Sequence, residues 1–243
     1  MTPKLTKRVW KETTVQAVPG GFSVHLDQRP LRTPSKEIIA VRSRALADGI
    51  AAEWDAVVGK IDPAKMPLTR AANTAIDKLV HQRAAVIANL ADYGGTDLLC
   101  YRAEAPAELV AEQSENWDTV LDWAARILAA PLNVYAGIMP RPQPESSLRK
   151  LADQLEPMDE FTLAAVHDLI AISGSLVLGL AVFHQEIAPE AAFELSRLDA
   201  NFQARLWGSD ELAEAATAAH RRDFLAAADL LNLLRQENGR TDD

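Results

Sequence analysis

The sequence has little sulfur and few aromatic rings. Cys100 is the one cysteine among 243 residues, so no disulfide can form within the chain, and a reducing compartment is expected. Aromatic residues make up 6% of the chain and hydrophobic residues 48%, with alanine abundant. This composition favours helices that pack closely through small side chains. Residues 1–9 lack the apolar core of a signal peptide, which favours a cytoplasmic protein.

Patterns typical of catalysis or cofactor binding are also missing. Neither glycine-rich phosphate-binding fingerprint occurs, and the histidines are scattered, so we expect no cofactor, no metal and no enzymatic activity. Cys100 lies in an apolar segment and is predicted to be a packing residue. His167, next to Asp168, is predicted to be a hydrogen-bonded interior histidine. Ser175 follows a glycine but lacks the flanking pattern of a nucleophile elbow.

Charge is distributed unevenly along the chain. The net charge is -9, yet residues 1–44 hold nine Lys and Arg against three acids, leaving the remainder strongly acidic. An acidic body argues against a broad nucleic-acid surface, because phosphate binding needs clustered Lys and Arg. The basic segment is interpreted as a solvated sheet face, with a polyanion site as the alternative.

Short strands are predicted at the beginning. Phe22–Leu26 alternates apolar and polar residues, which is typical of a half-buried strand, and Glu37–Val41 is predicted as another. Pro19–Gly21 is a turn signal. Ser43 is expected to cap a helix that ends at Gly59.

Helical patterns dominate after a linker at Lys60–Leu68, which contains two prolines. We therefore expect an α+β fold, mainly α, with a small antiparallel-sheet-plus-helix domain over 1–65 and a helical domain over 66–243. Besides the central stretch described next, the predicted helices are Thr69–Gly94 (as one or two), Ala107–Ala129, Glu145–Leu155, Pro189–Leu206 and Asp210–Arg235.

The longest nearly uncharged stretch is Phe161–Phe183. It is predicted to form one buried central helix that is hydrophobic on all sides and surrounded by other elements. Its uncharged part, Leu169–Phe183, falls short of the roughly 20 residues that a membrane-spanning helix needs. Gly174 and Gly179 are interpreted as sites of close helix packing.

Two tryptophans have acidic neighbours. Trp54 stands between Glu53 and Asp55, and Trp207 precedes Asp210 at a predicted helix start. Tryptophan is a common interface anchor, but a core tryptophan with solvated or helix-capping acids explains the pattern equally well. Both interpretations stay open.

A polar cluster offers an enzymatic alternative. Asp77, Asp97, Arg70 and Arg102 recur near threonines and would suit a small-molecule hydrolase or transferase. Ion-paired helix contacts explain these residues as well.

Seven stretches in chain order resemble the ATP synthase assembly chaperones that bind the alpha subunit of the catalytic head. Together they extend over nearly the whole chain. They are Lys7–Lys11, Leu26–Pro34, Ala52–Asp55, Met66–Asp77, Thr96–Arg102, Ser173–Gly179 and Trp207–Gly208.

The resemblance implies a small α+β domain joined to an orthogonal helix bundle, and a chaperone that keeps the free alpha subunit from aggregating before it meets the beta subunit. It implies an important acidic residue near the start of the last helix, which matches Glu211 or else Asp210. It also marks Trp54 as important. With these we group Trp207 and Glu53 as expected partner-binding residues.

The expected partner is therefore the alpha subunit, with no nucleic acid and no membrane insertion, and the free chaperone is expected to be a monomer. The expected compartment is the bacterial cytoplasm, or the mitochondrial matrix for a mature eukaryotic form.

Overall fold

A computed structural model describes residues 7–139 and 141–236. They form an α+β fold that is mainly α, which confirms the predicted class. The described residues fall into two compact units. The first contains 7–83, 160–165 and 229–236, and the second contains 84–159 and 166–228. The predicted division into domains 1–65 and 66–243 stays a prediction.

The first unit holds a four-stranded antiparallel sheet. Strand β2 (Gly21–Leu26) pairs along its length with β1 (Thr13–Val18), so that Val15 lies opposite Val24. It also pairs with β3 (Arg29–Pro30) and β4 (Ala40–Val41). The strand predicted over Phe22–Leu26 is confirmed, whereas Glu37–Val41 contains only the two-residue β4.

Helix α1 (Arg44–Asp55) packs on β1 and β2. The predicted cap is confirmed, because the Ser43 Oγ accepts a hydrogen bond from the Leu46 N–H at 3.1 Å. The helix ends four residues before Gly59. After it come α2 (Pro67–Thr74), a π-helical turn (Ala75–Leu79) and α3 (Val80–Asp92).

The remaining helices alternate with short irregular segments, and two short strands, β5 (Tyr101–Arg102) and β6 (Tyr135–Ala136), pair in parallel. Within the second unit α7 (Leu176–Phe183) packs against α4 (Ala107–Ile127) and α8 (Pro189–Ser196). One predicted helix, Pro189–Leu206, is wrong, because the backbone breaks at Arg197. The helices are α4 (Ala107–Ile127), α5 (Glu145–Asp153), α6 (Glu160–Ser173), α7 (Leu176–Phe183), α8 (Pro189–Ser196), α9 (Leu198–Trp207) and α10 (Glu211–Arg235).

The prediction of one continuous central helix over Phe161–Phe183 is also wrong. Helix α6 ends at Ser173, Gly174 adopts the left-handed φ of +71°, and Ser175 begins α7 as an extended cap. A Cβ on Gly174 would meet no heavy atom within 4 Å, so the backbone conformation and not close packing requires this glycine. At Gly179 the packing interpretation is confirmed, because a Cβ there would lie 2.5 Å from the Ile170 Cγ1.

A buried carboxylate holds the start of α7. Asp97 is fully buried and accepts hydrogen bonds from the Ser175 hydroxyl at 2.7 Å and the Val177 N–H at 3.0 Å. The Leu99 N–H donates a third at 3.1 Å. Burial raises the pKa of Asp97 to about 6, and these hydrogen bonds oppose the rise.

Two predictions about reactive residues have opposite outcomes. Cys100 is buried, as expected of a packing residue, and burial raises the pKa of its thiol to about 12. His167 is wrongly predicted as interior, because its side chain is 43% exposed and its Nδ1 lies 3.0 Å from an Asp168 carboxylate oxygen. Among the described residues, no helix combines the length and apolarity needed to cross a membrane.

Candidate partner-binding site

The polypeptide turns from α9 into α10 around Asp210. Its carboxylate accepts a hydrogen bond from the Ala213 N–H at 2.8 Å, and its carbonyl accepts one from the Glu214 N–H. Glu214 also accepts a short hydrogen bond from the Ser209 hydroxyl. Asp210 is thus the N-terminal cap of α10, and Glu211 begins the helix where the dipole favours negative charge.

Large apolar side chains are exposed at this turn. Trp207 is 74% exposed, Leu206 55% and Leu212 83%. We call this surface, with Asp210 and Glu211, the α9–α10 corner. The exposure of Trp207 is incompatible with a core role for this tryptophan, one of the two interpretations left open by the sequence. A cluster of exposed apolar groups beside carboxylates is typical of a protein-binding surface.

Glu53 and Trp54 lie in a different setting, in the first unit. The Glu53 carboxylate accepts hydrogen bonds from the Leu68 N–H at 2.7 Å and from the Thr69 N–H and hydroxyl at 2.9 and 2.6 Å. It therefore caps the first turn of α2 from a neighbouring helix. The Trp54 Nε1 donates to the Thr69 hydroxyl oxygen at 3.1 Å.

The pKa of Glu53 is raised, because burial disfavours its charged form more than the donors from Thr69 and Leu68 favour it. A protonated carboxyl can still accept hydrogen bonds through its other oxygen. Glu53 can therefore accept hydrogen bonds from the start of α2 in either protonation state.

Trp54 packs beside a small core made by Trp10, Val57 and Met66. The Trp10 and Trp54 ring centroids lie 5.2 Å apart in a tilted arrangement. We call this pair with Met66 the tryptophan cluster. Trp54 is half-buried, so packing uses most but not all of its surface.

Sequence reasoning overlooked the role of Arg8. Its guanidinium donates to the carbonyl oxygen of Asp55, the last residue of α1, at 2.5 Å and to that of Val57 at 3.1 Å. It also lies over the Trp10 ring, 5.4 Å from the centroid. Arg8 thereby satisfies exposed helix-end carbonyls and fixes Trp10. The sequence signal for this role is only that Arg8 and Trp10 stand two residues apart in the stretch Lys7–Lys11.

Three of the four residues of the enzymatic alternative, Asp77, Asp97 and Arg102, have partners within the fold. Within the second unit the Arg102 guanidinium donates to the Asp118 carboxylate at 2.7 Å, and Asp97 binds the start of α7 as described above. Within the first unit Asp77 accepts from the Ser35 N–H at 3.1 Å. These contacts account for the three residues through folding. The described part of the chain also contains no group of three or more His, Cys, Asp or Glu placed to hold a metal ion.

Known proteins resemble this chain over most of its length. The family model described as ATP12 chaperone protein matches residues 7–125. The crystal structure of Atp12 from Paracoccus denitrificans is 48% identical with a TM-score of 0.90, covering 94% of this chain and 98% of that one. A structure from Agrobacterium tumefaciens is 40% identical with a TM-score of 0.91, covering 95% and 87%. The mitochondrial protein atp12 of Schizosaccharomyces pombe is 26% identical, covering 93% of this chain and 82% of that one.

Proposed function

The chain belongs to the ATP12 chaperone family, and from this premise we propose that it binds the free alpha subunit of the F-type ATP synthase catalytic head and prevents its aggregation before assembly with the beta subunit. An unassembled subunit exposes apolar interface, and large exposed apolar patches aggregate. A protein that covers such a patch reversibly needs no catalytic centre. The proposed activity is accordingly non-enzymatic.

The observation that carries the proposal is the exposed α9–α10 corner. Three large apolar side chains there, Leu206, Trp207 and Leu212, contribute little to the core of their own chain. Exposed tryptophan next to aliphatic residues is suited to anchoring a partner, because it buries a large area with few rotatable bonds. Neighbouring carboxylates would add charge selectivity and steer a cationic partner surface.

Glu211 is the better candidate for the key acid of this corner. The Asp210 carboxylate already accepts the Ala213 N–H, whereas Glu211 is exposed and, among the described residues, has no hydrogen-bond or ion-pair partner. We therefore assign partner contact to Glu211 and Trp207, and helix capping to Asp210. Glu53 and Trp54 would support binding indirectly, through the fold of the first unit.

A holding chaperone must release its client, so the proposed interface is of moderate size and mixed polarity. The free chaperone is proposed to be monomeric and to act without cofactor or nucleic acid. The relatives come from a bacterium and from a mitochondrion, which supports action in the bacterial cytoplasm or the mitochondrial matrix.

The test is co-expression with an alpha subunit, followed by pull-down and light scattering of the alpha subunit at rising temperature. We expect a complex with the unmodified chain and suppressed scattering, and we expect Glu211→Lys to lose both without loss of helical circular dichroism. Glu190→Lys is a matched control, since Glu190 is an exposed acid in the first turn of α8. Equal binding by both variants would contradict the role of Glu211, and no complex with the unmodified chain would contradict the function.

A further inference from the structure

Two cavities of the first unit meet at Arg32. The larger, about 700 Å³, is lined by Val9, Trp10 and the stretch 26–32. We call it the Trp10 hollow. Trp10 is 7% exposed and lies at the buried side, whereas Val9 is 86% exposed and lies at the surface. The hollow therefore leads from solvent to the tryptophan cluster.

The smaller cavity, about 290 Å³, is lined on its apolar side by Trp54, Ile61 and Met66. We call it the Trp54 hollow. Arg70 and Asn73 contribute polar groups to it. Met66 is buried, so this cavity also reaches the tryptophan cluster, from the side of Trp54. Its volume suits one or two large side chains.

The two hollows are neighbours in the first unit. Arg32 lines both of them, and the Trp10 and Trp54 rings that line one hollow each lie 5.2 Å apart. Two neighbouring depressions that share an arginine suit an extended chain, which can reach both, better than a compact small molecule.

Positive charge predominates around these hollows. Arg29 and Arg32 line the Trp10 hollow, and Arg32 and Arg70 line the Trp54 hollow. The one acid lining the Trp10 hollow is Asp27, whose carboxylate accepts the N–H groups of Lys11 and Glu12 at 3.0 and 3.1 Å. Those two bonds lower the pKa of Asp27, so its carboxylate stays ionised and offsets one of the two arginine charges of this hollow. The charge of the lining favours an acidic ligand.

One residue that lines each hollow carries a fully buried polar atom without a partner within the described residues. The Trp10 Nε1 is a buried donor without an acceptor, and the Asn73 Oδ1 is a buried acceptor without a donor. Buried polar groups in folded proteins are normally hydrogen-bonded. Because both atoms are enclosed by their own chain, a bound ligand reaches them only if lining side chains move, and they add no direct contact to the site.

We propose that the Trp10 and Trp54 hollows together bind an extended segment of a partner polypeptide in which an acidic residue has large apolar residues on both sides. The apolar side chains occupy the two hollows against the tryptophan cluster. The carboxylate pairs with the guanidinium of exposed Arg32, which also donates through Nη1 to the Lys36 carbonyl oxygen at 2.7 Å. This deepens the proposed function by adding a second contact surface with a different sequence preference, and it rests on the client being a polypeptide.

The test uses two fluorescein-labelled blocked peptides, Leu-Phe-Glu-Leu-Phe and its glutamine counterpart, titrated with the full chain at low salt and followed by anisotropy. We expect the glutamate peptide to bind about tenfold more tightly than the glutamine peptide. Arg32→Gln should abolish that preference. Arg42→Gln is the matched control, because Arg42 is exposed in the same unit but lines neither hollow, and it should leave binding unchanged.

If Arg32→Gln loses helical circular dichroism, Arg29→Gln serves as the second variant, because Arg29 is exposed and lines the Trp10 hollow alone. It should weaken binding of the glutamate peptide several-fold.

Equal affinity for the two peptides would overturn the proposal. So would displacement of the peptide by free glutamate at matched concentration, since this indicates a small-carboxylate site. Loss of peptide binding in Glu211→Lys instead of the arginine variants would place the peptide at the α9–α10 corner and also overturn it. Peptide binding without alpha-subunit capture would contradict the proposed function alone.

Discussion

Trp54 and Trp207 have similar sequence surroundings and opposite physical settings. Each stands near two acids at a helix end, yet Trp54 packs against Trp10 and hydrogen-bonds to Thr69, whereas Trp207 is 74% exposed. The acids differ in the same way. Glu53 caps another helix across 15 residues of sequence, whereas Glu211 faces solvent at the start of its own helix.

The comparison shows that residue composition does not decide whether such a cluster stabilises the fold or meets a partner. Backbone N–H groups from another element decide it. At Glu53 the first turn of α2 supplies two of them, and the carboxylate is consumed by folding. At Glu211 no described group does so, and the carboxylate is available to a partner.

Removing the two indoles should give the largest contrast. We expect Trp54→Ala to lower the free energy of unfolding by about 3 kcal/mol, because it opens a space beside Trp10 and leaves Thr69 without its indole donor. Trp207→Ala should change it by about 0.5 kcal/mol or less. Urea unfolding followed by circular dichroism measures both. Similar losses in the two variants would break the distinction.

Truncating the two glutamates should give the next contrast. Glu53→Ala leaves the N–H groups of Leu68 and Thr69 without their acceptor, and we expect a loss of about 1–3 kcal/mol. Glu211→Ala should cost about 0.5 kcal/mol, from the helix dipole alone. The same urea titrations apply. A neutral Glu53→Ala would mean that water replaces the carboxylate at α2.

The pH dependence of the unfolding free energy tests the setting of Glu53. Since the folded-state pKa of Glu53 is raised above its ordinary value of 4.5, the folded chain holds that proton more tightly than the unfolded chain. The stability that this tighter proton binding by Glu53 adds is therefore fully present below pH 4.5 and is lost as the pH rises through the folded-state pKa. Asp97 titrates in the same direction, so the quantity to measure is the difference in unfolding free energy between the unmodified chain and Glu53→Gln. A difference independent of pH from 4 to about 7 would contradict the raised pKa.

The smallest effect on stability is expected at Leu212, which is 83% exposed. Leu212→Ser should leave the free energy of unfolding within about 0.5 kcal/mol of the original. Its binding to the alpha subunit should weaken several-fold, because the substitution removes apolar area from the α9–α10 corner. Isothermal titration with the alpha subunit, beside the urea titration, tests both statements. A stability loss as large as that of Trp54→Ala would show that this corner belongs to the core.

Local signals predicted local features. Alternation located β2, and Ser43 located the start of α1, because strand pleating and N-capping act over a few residues. The break at Gly174 was not predicted, since the acceptor that fixes the new helix start is Asp97, 78 residues away in sequence. The helix-capping role of Glu53 was one of two interpretations left open and that of Arg8 was overlooked, because their hydrogen-bond partners come from other elements.

The buried Asp97 also bears on when the most apolar helix of the described chain can form. Helix α7 has eight residues, too few for an isolated helix to persist in water, and seven of its side chains or backbone positions are buried. Its first turn depends on an acceptor that reaches it only when distant parts of the chain have come together. This highly apolar helix therefore forms together with the core that encloses it. Its hydrophobic side chains are not presented to solvent on a preformed helix, which suits a protein proposed to bind the exposed surfaces of others.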